Sequence, residues 1–580
     1  MKKYLFIALA ALGFAACAEK LDDNNAPHGG EMEESYIAIN LLSADVETRA
    51  ATDSYGYEEG TDAERAVNTA YFFFFDEDGN PFNVTGSPVT APGEVQNGKN
   101  HLILSISNAS TSGMPNVSDI KDAILVLKTY KGVYPSKIVA VLNWVPENKP
   151  YSLTALHEAL EVIGDDTNGY VMSNSVYMDG ANKMIDAVPL TAANIKTTEA
   201  EALAAPINIY VERTAAKVVL TAGGKIAGTD NIFDTQKNST PVGLVGGSSD
   251  LDVYVKLNGW ELYNDYSTSS LLKNIENWDV ATLGLTWNDI PYYRCYWAKS
   301  QAGNHSDSFA WSYTDADKAT KGFQTNYGFA VADAGDNYAT RSTYTYCGEN
   351  TNQVDGSTDP RTKVILKGQL MQKNGDVYEP LELARWYGTE YAGDENLRIA
   401  VANSLKYTLY SSENGQTFSS ITPDDIQCVE GIEAAGAKAY EVSFQLSTTG
   451  AAKKWYQYNS TSGYVVFGDN GVAGDNAVKT NAYLATVEPA LLYADGQTYY
   501  HVDIKHLGSD GKTAEYGVVR NHVYQIDIKS IKGYGSPVYS GLSYIVKVPD
   551  YPIEDEGSYV AAKINILSWK VVKQGVNIVQ

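Results

Sequence analysis

Alternation of apolar and polar residues dominates the chain. Ile37, Ile39 and Leu41 share one side of a period of two, with Ala38 and Asn40 on the other, which predicts a strand with one buried face. Tyr71-Phe72-Phe73-Phe74-Phe75 has no polar interruption and predicts a strand buried on both faces. Asp76-Glu77-Asp78-Gly79-Asn80 then predicts a tight turn. Leu102–Ile106, Ile124–Lys128, Ile138–Leu142 and Ile207–Val211 read as further strands, the last running through Glu212-Arg213 into Lys217–Leu220. Val253–Leu257, Lys363–Leu370, Tyr440–Leu446, Tyr499–Ile504 and Val523–Ile528 continue the series. Helical spacing is scarce. Leu153–Ile163, with Ala155, Leu156, Leu160 and Ile163 in phase, is the best candidate, and Leu381–Trp386 and Ile432–Ala435 read as short helices. Short strands punctuated by turns predict an all-β chain of antiparallel sandwiches with long loops and a domain boundary near Arg213.

The two ends depart from this pattern. Lys2 and Lys3 precede the apolar run Tyr4–Leu12, and small residues lead to Cys17. That is a secretory signal of the lipoprotein type, too short for a permanent membrane helix, with Cys17 as the lipidated residue. At the other end Val560, Ala562, Ile564 and Ile566 share one strand face. The phase slips at Leu567-Ser568-Trp569, predicting a bulge or bend, and Val571, Val576 and Ile578 carry the strand on. Pro549, Pro552 and the acidic Glu554-Asp555-Glu556-Gly557 run separate this strand from what precedes it.

Composition narrows the function. The 580-residue chain carries a net charge of -26, so a nucleic-acid partner is excluded on electrostatic grounds. Tyr (42 residues) and Gly (49 residues) are abundant, as half-buried strands and tight turns require. Cys295, Cys347 and Cys428 match no zinc spacing and read as core thiols, with one disulfide as the minor alternative. No nucleophile elbow, zinc-protease helix or phosphate loop occurs, so no catalytic residue, metal or cofactor is expected. Asp76-x-Asp78-Gly79 begins like a calcium loop, but Ser87 stands where the last ligand belongs, which favours a plain turn. His501 and His506, five apart, point to opposite faces of a strand and make a poor metal pair.

What remains is a constellation for assembly: an anchor at Cys17, a strand ending near Arg49, and a spare strand at the C-terminus. A sandwich deprived of one strand exposes unpaired backbone and an apolar floor, and such an edge recruits another strand. Head-to-tail donation does not close, so it builds a filament. The other reading is that both end strands pair within one monomer.

Three segments carry a family likeness: Ile209-Tyr210-Val211-Glu212-Arg213-Thr214-Ala215-Ala216-Lys217, Tyr346-Cys347-Gly348-Glu349-Asn350-Thr351, and the run Val519–Ile531 beginning Val519-Arg520-Asn521-His522. Phe74–Gly79 and Ile566–Val572 add weaker matches. In this order they resemble the fimbrillin family of Bacteroidales, the type V pilins, and most nearly its branch typified by the minor, short-fimbria subunit of Porphyromonas. The resemblance implies two transthyretin-like β-sandwich domains and no enzymatic activity. It implies lipoprotein export through the periplasm to the outer membrane, cleavage after an arginine by a trypsin-like surface protease, and polymerisation by strand exchange. Arg49 and Ala50 match the cleavage position.

The chain is thus expected to divide into a signal peptide (1–17), a propeptide with the removable strand (18–49), two sandwiches (50–212 and 213–558) and a donor strand (559–580). The expected partners are identical subunits, accessory anchor and tip subunits, the protease, and a host or bacterial surface receptor. The alternatives are an anchor or accessory subunit, or a monomeric surface lipoprotein that stacks glycan on Tyr292, Tyr293, Tyr296, Trp297, Trp311 and Tyr313.

Overall fold

A computed structural model describes residues 32–43, 60–88, 93–95, 99–105, 122–130, 132–162, 164–165, 169–178, 184–244, 250–263, 268–275, 309–311, 327–330, 341–350, 362–430, 441–468, 476–506, 517–537, 544–546, 559–567 and 572–575. The fold is all-β, and the chain divides into two compact units, with a boundary in sequence between Ala215 and Ala216. The segment from Thr268 returns to the first unit. Among the described residues no helix is long and apolar enough to cross a membrane.

The first unit contains β1 (Met32–Ser43), β2 (Thr69–Phe75), β3 (Thr85–Pro88), β4 (Gly93–Val95), β5 (His101–Ser105), β6 (Asp122–Tyr130) and β7 (Lys137–Leu142). Helix α1 (Leu153–Glu158), β8 (Met172–Asn174), helix α2 (Glu199–Ala204) and β9 (Ile207–Arg213) follow. The strands form one sheet in the order β3-β6-β1-β9-β8-β7-β2-β5-β4, with Val188–Pro189 also on β7. The sheet curls, and its two end regions are joined by the backbone bridge between Val84 and Lys99, so that its strands face one another across a core as in a sandwich. Inward residues from eight of its strands, among them Ile37, Phe72, Leu104, Leu125, Ile138 and Ile209, therefore share one core. The phenylalanine run is buried on both faces, as its pattern predicts. Phe73 and Phe75 face a second core with Trp144, Tyr151 and Leu156.

Helix α1 is shorter than its periodicity predicts. Ser152 caps it, accepting from the Ala155 N–H at 3.1 Å, and Ala159 leaves the helix at ψ 128°. Leu160–Val162 is then a short strand paired with Thr268–Ser270. The tertiary pairing overrides a weak helical preference there.

The second unit begins with β10 (Ala216–Thr221), β11 (Ile232–Ser239), β12 (Leu251–Tyr263), β13 (Tyr344–Cys347), β14 (Lys363–Asn374) and β15 (Val377–Pro380). Strands β16 (Leu383–Trp386) and β17 (Thr389–Ala392), helix α3 (Gly393–Leu405), and strands β18 (Tyr410–Ser411), β19 (Ser419–Ser420), β20 (Ile426–Glu430), β21 (Val442–Leu446), β22 (Trp455–Asn459) and β23 (Gly463–Val466) come next. Helix α4 (Asn476–Leu484) and strands β24 (Leu491–Tyr493), β25 (Gln497–Asp503), β26 (Val523–Lys532), β27 (Ser536–Pro537), β28 (Tyr559–Leu567) and β29 (Val572–Gly575) complete it. Two sheets, β13-β10-β26-β28-β29 and β11-β12-β14-β25-β27, enclose one core. Val218, Tyr524 and Ile526 from the first meet Val255, Trp260, Leu366 and Val502 from the second. That is a β-sandwich.

The chain leaves this sandwich after β15 and returns at β25, beside β14. Between them lies an insert with its own core, built on Leu397, Val401, Phe444, Trp455 and Leu484. Leu381–Trp386 was expected to be helical, but β16 is a strand paired with β24. The reason is its position between two cores. Leu383 and Tyr493 face the sandwich core, while Ala384, Trp386 and Leu492 face the insert core, which is strand periodicity. Ile432–Ala435 lies outside the described residues.

Candidate assembly site

β1 occupies the middle of the first unit's sheet, not its margin. It pairs antiparallel with β6 (Ile37 opposite Leu125, Ile39 opposite Ala123) and parallel with β9 (Ile39 beside Ile207, Leu41 beside Ile209). Ile37 and Ile39 are fully buried in the core, as the alternation predicts. The side chain of Leu41 lies outside the described residues.

The opposite face is also covered, which the sequence reading missed. Ala38 packs against Ala202 of α2, and Tyr36 lies beside them. Two backbone bonds hold the approach to α2 onto β1: the Tyr36 N–H donates to the Lys196 carbonyl at 2.8 Å, and the Lys196 N–H returns one to the Tyr36 carbonyl at 2.9 Å. The available signal was the pair of small residues, Ala38 and Ala202, which permits helix and strand to approach closely. Taking β1 away would break the ladders to β6 and β9, open the core, and uncover Ala202.

The C-terminal strand is placed on its own chain. β28 pairs antiparallel with β26, with Ile564 opposite Ile526, Ile566 opposite Tyr524 and Ala562 opposite Ile528. Val560 lies opposite Ile531, after a register shift between Ile528 and Ser530. β29 runs antiparallel to β28 rather than extending it, with Val572 opposite Ile566 and Gly575 opposite Lys563. The expectation of one long strand with a bend is thereby corrected to a hairpin, and the broken phase after Leu567 marks the reversal. In this form both end strands pair within one chain. Trp569, Val571, Val576 and Ile578 lie outside the described residues, as do Cys17, Arg49 and Ala50.

Two of the segments that suggested the family meet in space. Glu349, two residues after β13, forms an ion pair at 3.2 Å with Arg520, just before β26, and both side chains are buried. Asn350 and Val518 exchange two backbone hydrogen bonds of 2.8 Å beside it, and Asn350 Nδ2 donates to Thr362 Oγ1 at 2.9 Å. Asn521 takes the left-handed conformation (φ 56°) that lets the chain turn into β26. At the other likeness, the Glu212 carboxylate holds Lys273 at 3.0 Å and Arg213 Nε donates to the Glu64 carbonyl at 2.6 Å.

The remaining candidates have structural roles. Asp76 Oδ1 accepts from the backbone N–H groups of Asp78 (2.9 Å) and Asn80 (2.8 Å), so this carboxylate caps its own turn. Burial lowers the pKa of His501. His506 Nδ1 lies 2.9 Å from the Tyr524 hydroxyl. Among the described residues no cluster of His, Cys, Asp or Glu could hold a metal ion. Cys347 and Cys428 are buried, and burial pushes the Cys428 thiol up to about 12; Cys295 lies outside the described residues. Of the tyrosines and tryptophans offered as a glycan platform, Trp311 is in a short strand paired with Tyr544–Val546, and the others lie outside the described residues.

Residues 491–575, from the start of β24 to the end of β29, match the family model of the major fimbrial subunit protein type IV, fimbrillin, C-terminal. Over these residues the chain is similar to the fimbrillins. The matched residues include the buried Arg520 and the whole of the C-terminal hairpin. Solved structures similar to the chain include a fimbrilin, FimA, from Porphyromonas gingivalis W83, at 10% identity and a TM-score of 0.33, covering 91% of this chain and 96% of that one. The tip fimbrial protein Mfa3 of Porphyromonas gingivalis is 11% identical with a TM-score of 0.29, covering 92% and 99%. A fimbrial assembly protein from Parabacteroides distasonis is 10% identical with a TM-score of 0.27, covering 62% and 86%. No curated protein matches the chain. By kind, the fimbrillins are structural proteins of cell-surface fimbriae.

Proposed function

We propose that this chain is a building subunit of a surface fimbria that polymerises after proteolytic loss of β1. It is exported as a lipoprotein through Cys17 and cut between Arg49 and Ala50 by a trypsin-like protease. A neighbour's C-terminal strand then takes the place of β1. The observation that carries the reading is the central position of β1, which is paired on both sides and fully buried at Ile37 and Ile39. Its removal leaves a gap only another strand can satisfy, because buried backbone groups must find partners.

The donor gives something up. The β28–β29 hairpin is attached to its own sandwich by one ladder, along β26. Inserted between β6 and β9, β28 would gain two ladders and bury four or five apolar side chains. At ~1.5–3 kcal/mol each, that is a gross gain on the order of 10 kcal/mol, offset by the lost β26 pairing and by association entropy. Accessory tip and anchor subunits and a surface receptor complete the expected partners, in a fibre that serves adhesion and biofilm formation.

Arg49→Ala tests the reading. The variant is expected to keep β1, to yield no Ala50 N-terminus on sequencing, and to remain monomeric when treated with trypsin-like protease. Normal fibres by electron microscopy in that variant would defeat it.

A further inference from the structure

The insert displays an aromatic surface that neither its own core nor fibre assembly uses. Strands β18, β19, β22 and β23 form a four-stranded antiparallel sheet in the order β19-β18-β22-β23. One face is closed: Trp455 is fully buried, and its indole donates to the Gly450 carbonyl at 2.9 Å. Direct cross-strand pairs share a face, so Tyr410 opposite Tyr456, and Tyr458 opposite Tyr464, lie together on the other. Phe418, just before β19, stacks on Tyr464 with ring centroids 3.9 Å apart at 11°. Tyr410 and Tyr458 approach Tyr464 edge-on at 4.9 and 5.2 Å. Tyr458 is 57% exposed and Tyr464 38%. The outer face of such a sheet ordinarily carries polar side chains. Here it carries five aromatic rings: Tyr458 and Tyr464 are exposed, Tyr410 and Phe418 half-buried, and Tyr456 buried.

Charge decides what fits. The outward positions of the four strands hold no carboxylate; Glu413 lies in the turn between β18 and β19. Lys454 places its ammonium 5.8 Å from the Tyr456 ring centroid, so a cationic ligand meets a like charge at a ring already engaged by one. A polyanion is opposed by the chain's net charge of -26. Val466 is the one aliphatic residue on the face, which is a poor match for the core of a protein interface. The turns at its two ends supply uncharged hydrogen-bonding groups, Asn414, Gln416 and Thr417 at one and Asn459, Thr461 and Ser462 at the other. Electron-rich ring faces between neutral amides and hydroxyls complement the polarised C–H faces and hydroxyls of sugar rings.

We propose that this sheet face binds an uncharged glycan, with pyranose rings stacked on Tyr458 and Tyr464. The site is formed within one chain, so it does not depend on the fimbrial reading. In a fibre it would recur once per subunit, and weak single contacts would add as avidity.

Affinity electrophoresis of the full chain tests this, through gels containing a soluble mannan, β-glucan or galactan, with polygalacturonate as the anionic control. At least one neutral polysaccharide is expected to retard the chain, and Tyr458→Ala to weaken that retardation at least tenfold. Tyr458→Phe keeps the ring and should retain most of it. Thermal melts of both variants should match the parent, since Tyr458 is largely exposed. No retardation by any neutral polysaccharide, preferential retardation by polygalacturonate, or undiminished binding by Tyr458→Ala would each overturn the proposal.

Discussion

His101 shows how one side chain ties the first unit to pH. Its ring lies 5.7 Å from that of Tyr71 and 5.1 Å from that of Phe73, on the strand beside the phenylalanine run. Burial, helped by the nearby Lys99 charge, lowers its pKa from 6.5 to about 4. The folded protein holds this imidazole neutral, while the unfolded chain takes up a proton near 6.5. Between these values the unfolded state binds more protons, so stability falls as pH drops from about 6.5 to about 4 and this contribution levels off below. Thermal melts across that window should show a smaller decline for His101→Gln than for the parent. The buried Arg520–Glu349 pair belongs to the same scale. It joins points 171 residues apart in sequence, and each charge requires the other to remain buried.

At the scale of elements, β1 was legible because its period of two was strict: Ile37 and Ile39 face the core as their spacing dictates. The cover over Ala38 was not legible, because a single small residue on a strand's outer face carries no signal until α2 is known to lie on it. Ala38→Leu should overpack that contact and cost ~1–3 kcal/mol, read as a lower denaturation midpoint for the uncleaved chain. An unchanged midpoint would show that α2 is not held tightly to the strand. Helix α3 was missed although Leu397, Val401 and Leu405 recur at helical spacing, because the Ala, Asn and Ser between them dilute the contrast. The C-terminal strand was legible as far as Leu567. The return of β29 was not, since a broken alternation reads equally as a bend or as a reversal.

At the scale of the whole molecule, the sandwich and the insert have separate cores within the second unit. The chain enters and leaves the insert through paired strands, with Arg385 opposite Leu491. Replacing residues 387–489 by a two-residue turn, with polar substitutions at Trp386 and Leu492 to replace the lost cover, should leave a sandwich that melts cooperatively. Loss of a cooperative transition would show that the two cores fold as one. The mixed ladder around β1, antiparallel to β6 on one side and parallel to β9 on the other, has one further consequence. A strand entering that gap in reverse would pair in the opposite sense with both neighbours and so exchange the two hydrogen-bond patterns. Under the proposed strand exchange, a donor that restores both original ladders enters in one orientation. Such a polymer would be a vector: its two extremities would be chemically unlike, and elongation and capping would fall at different poles.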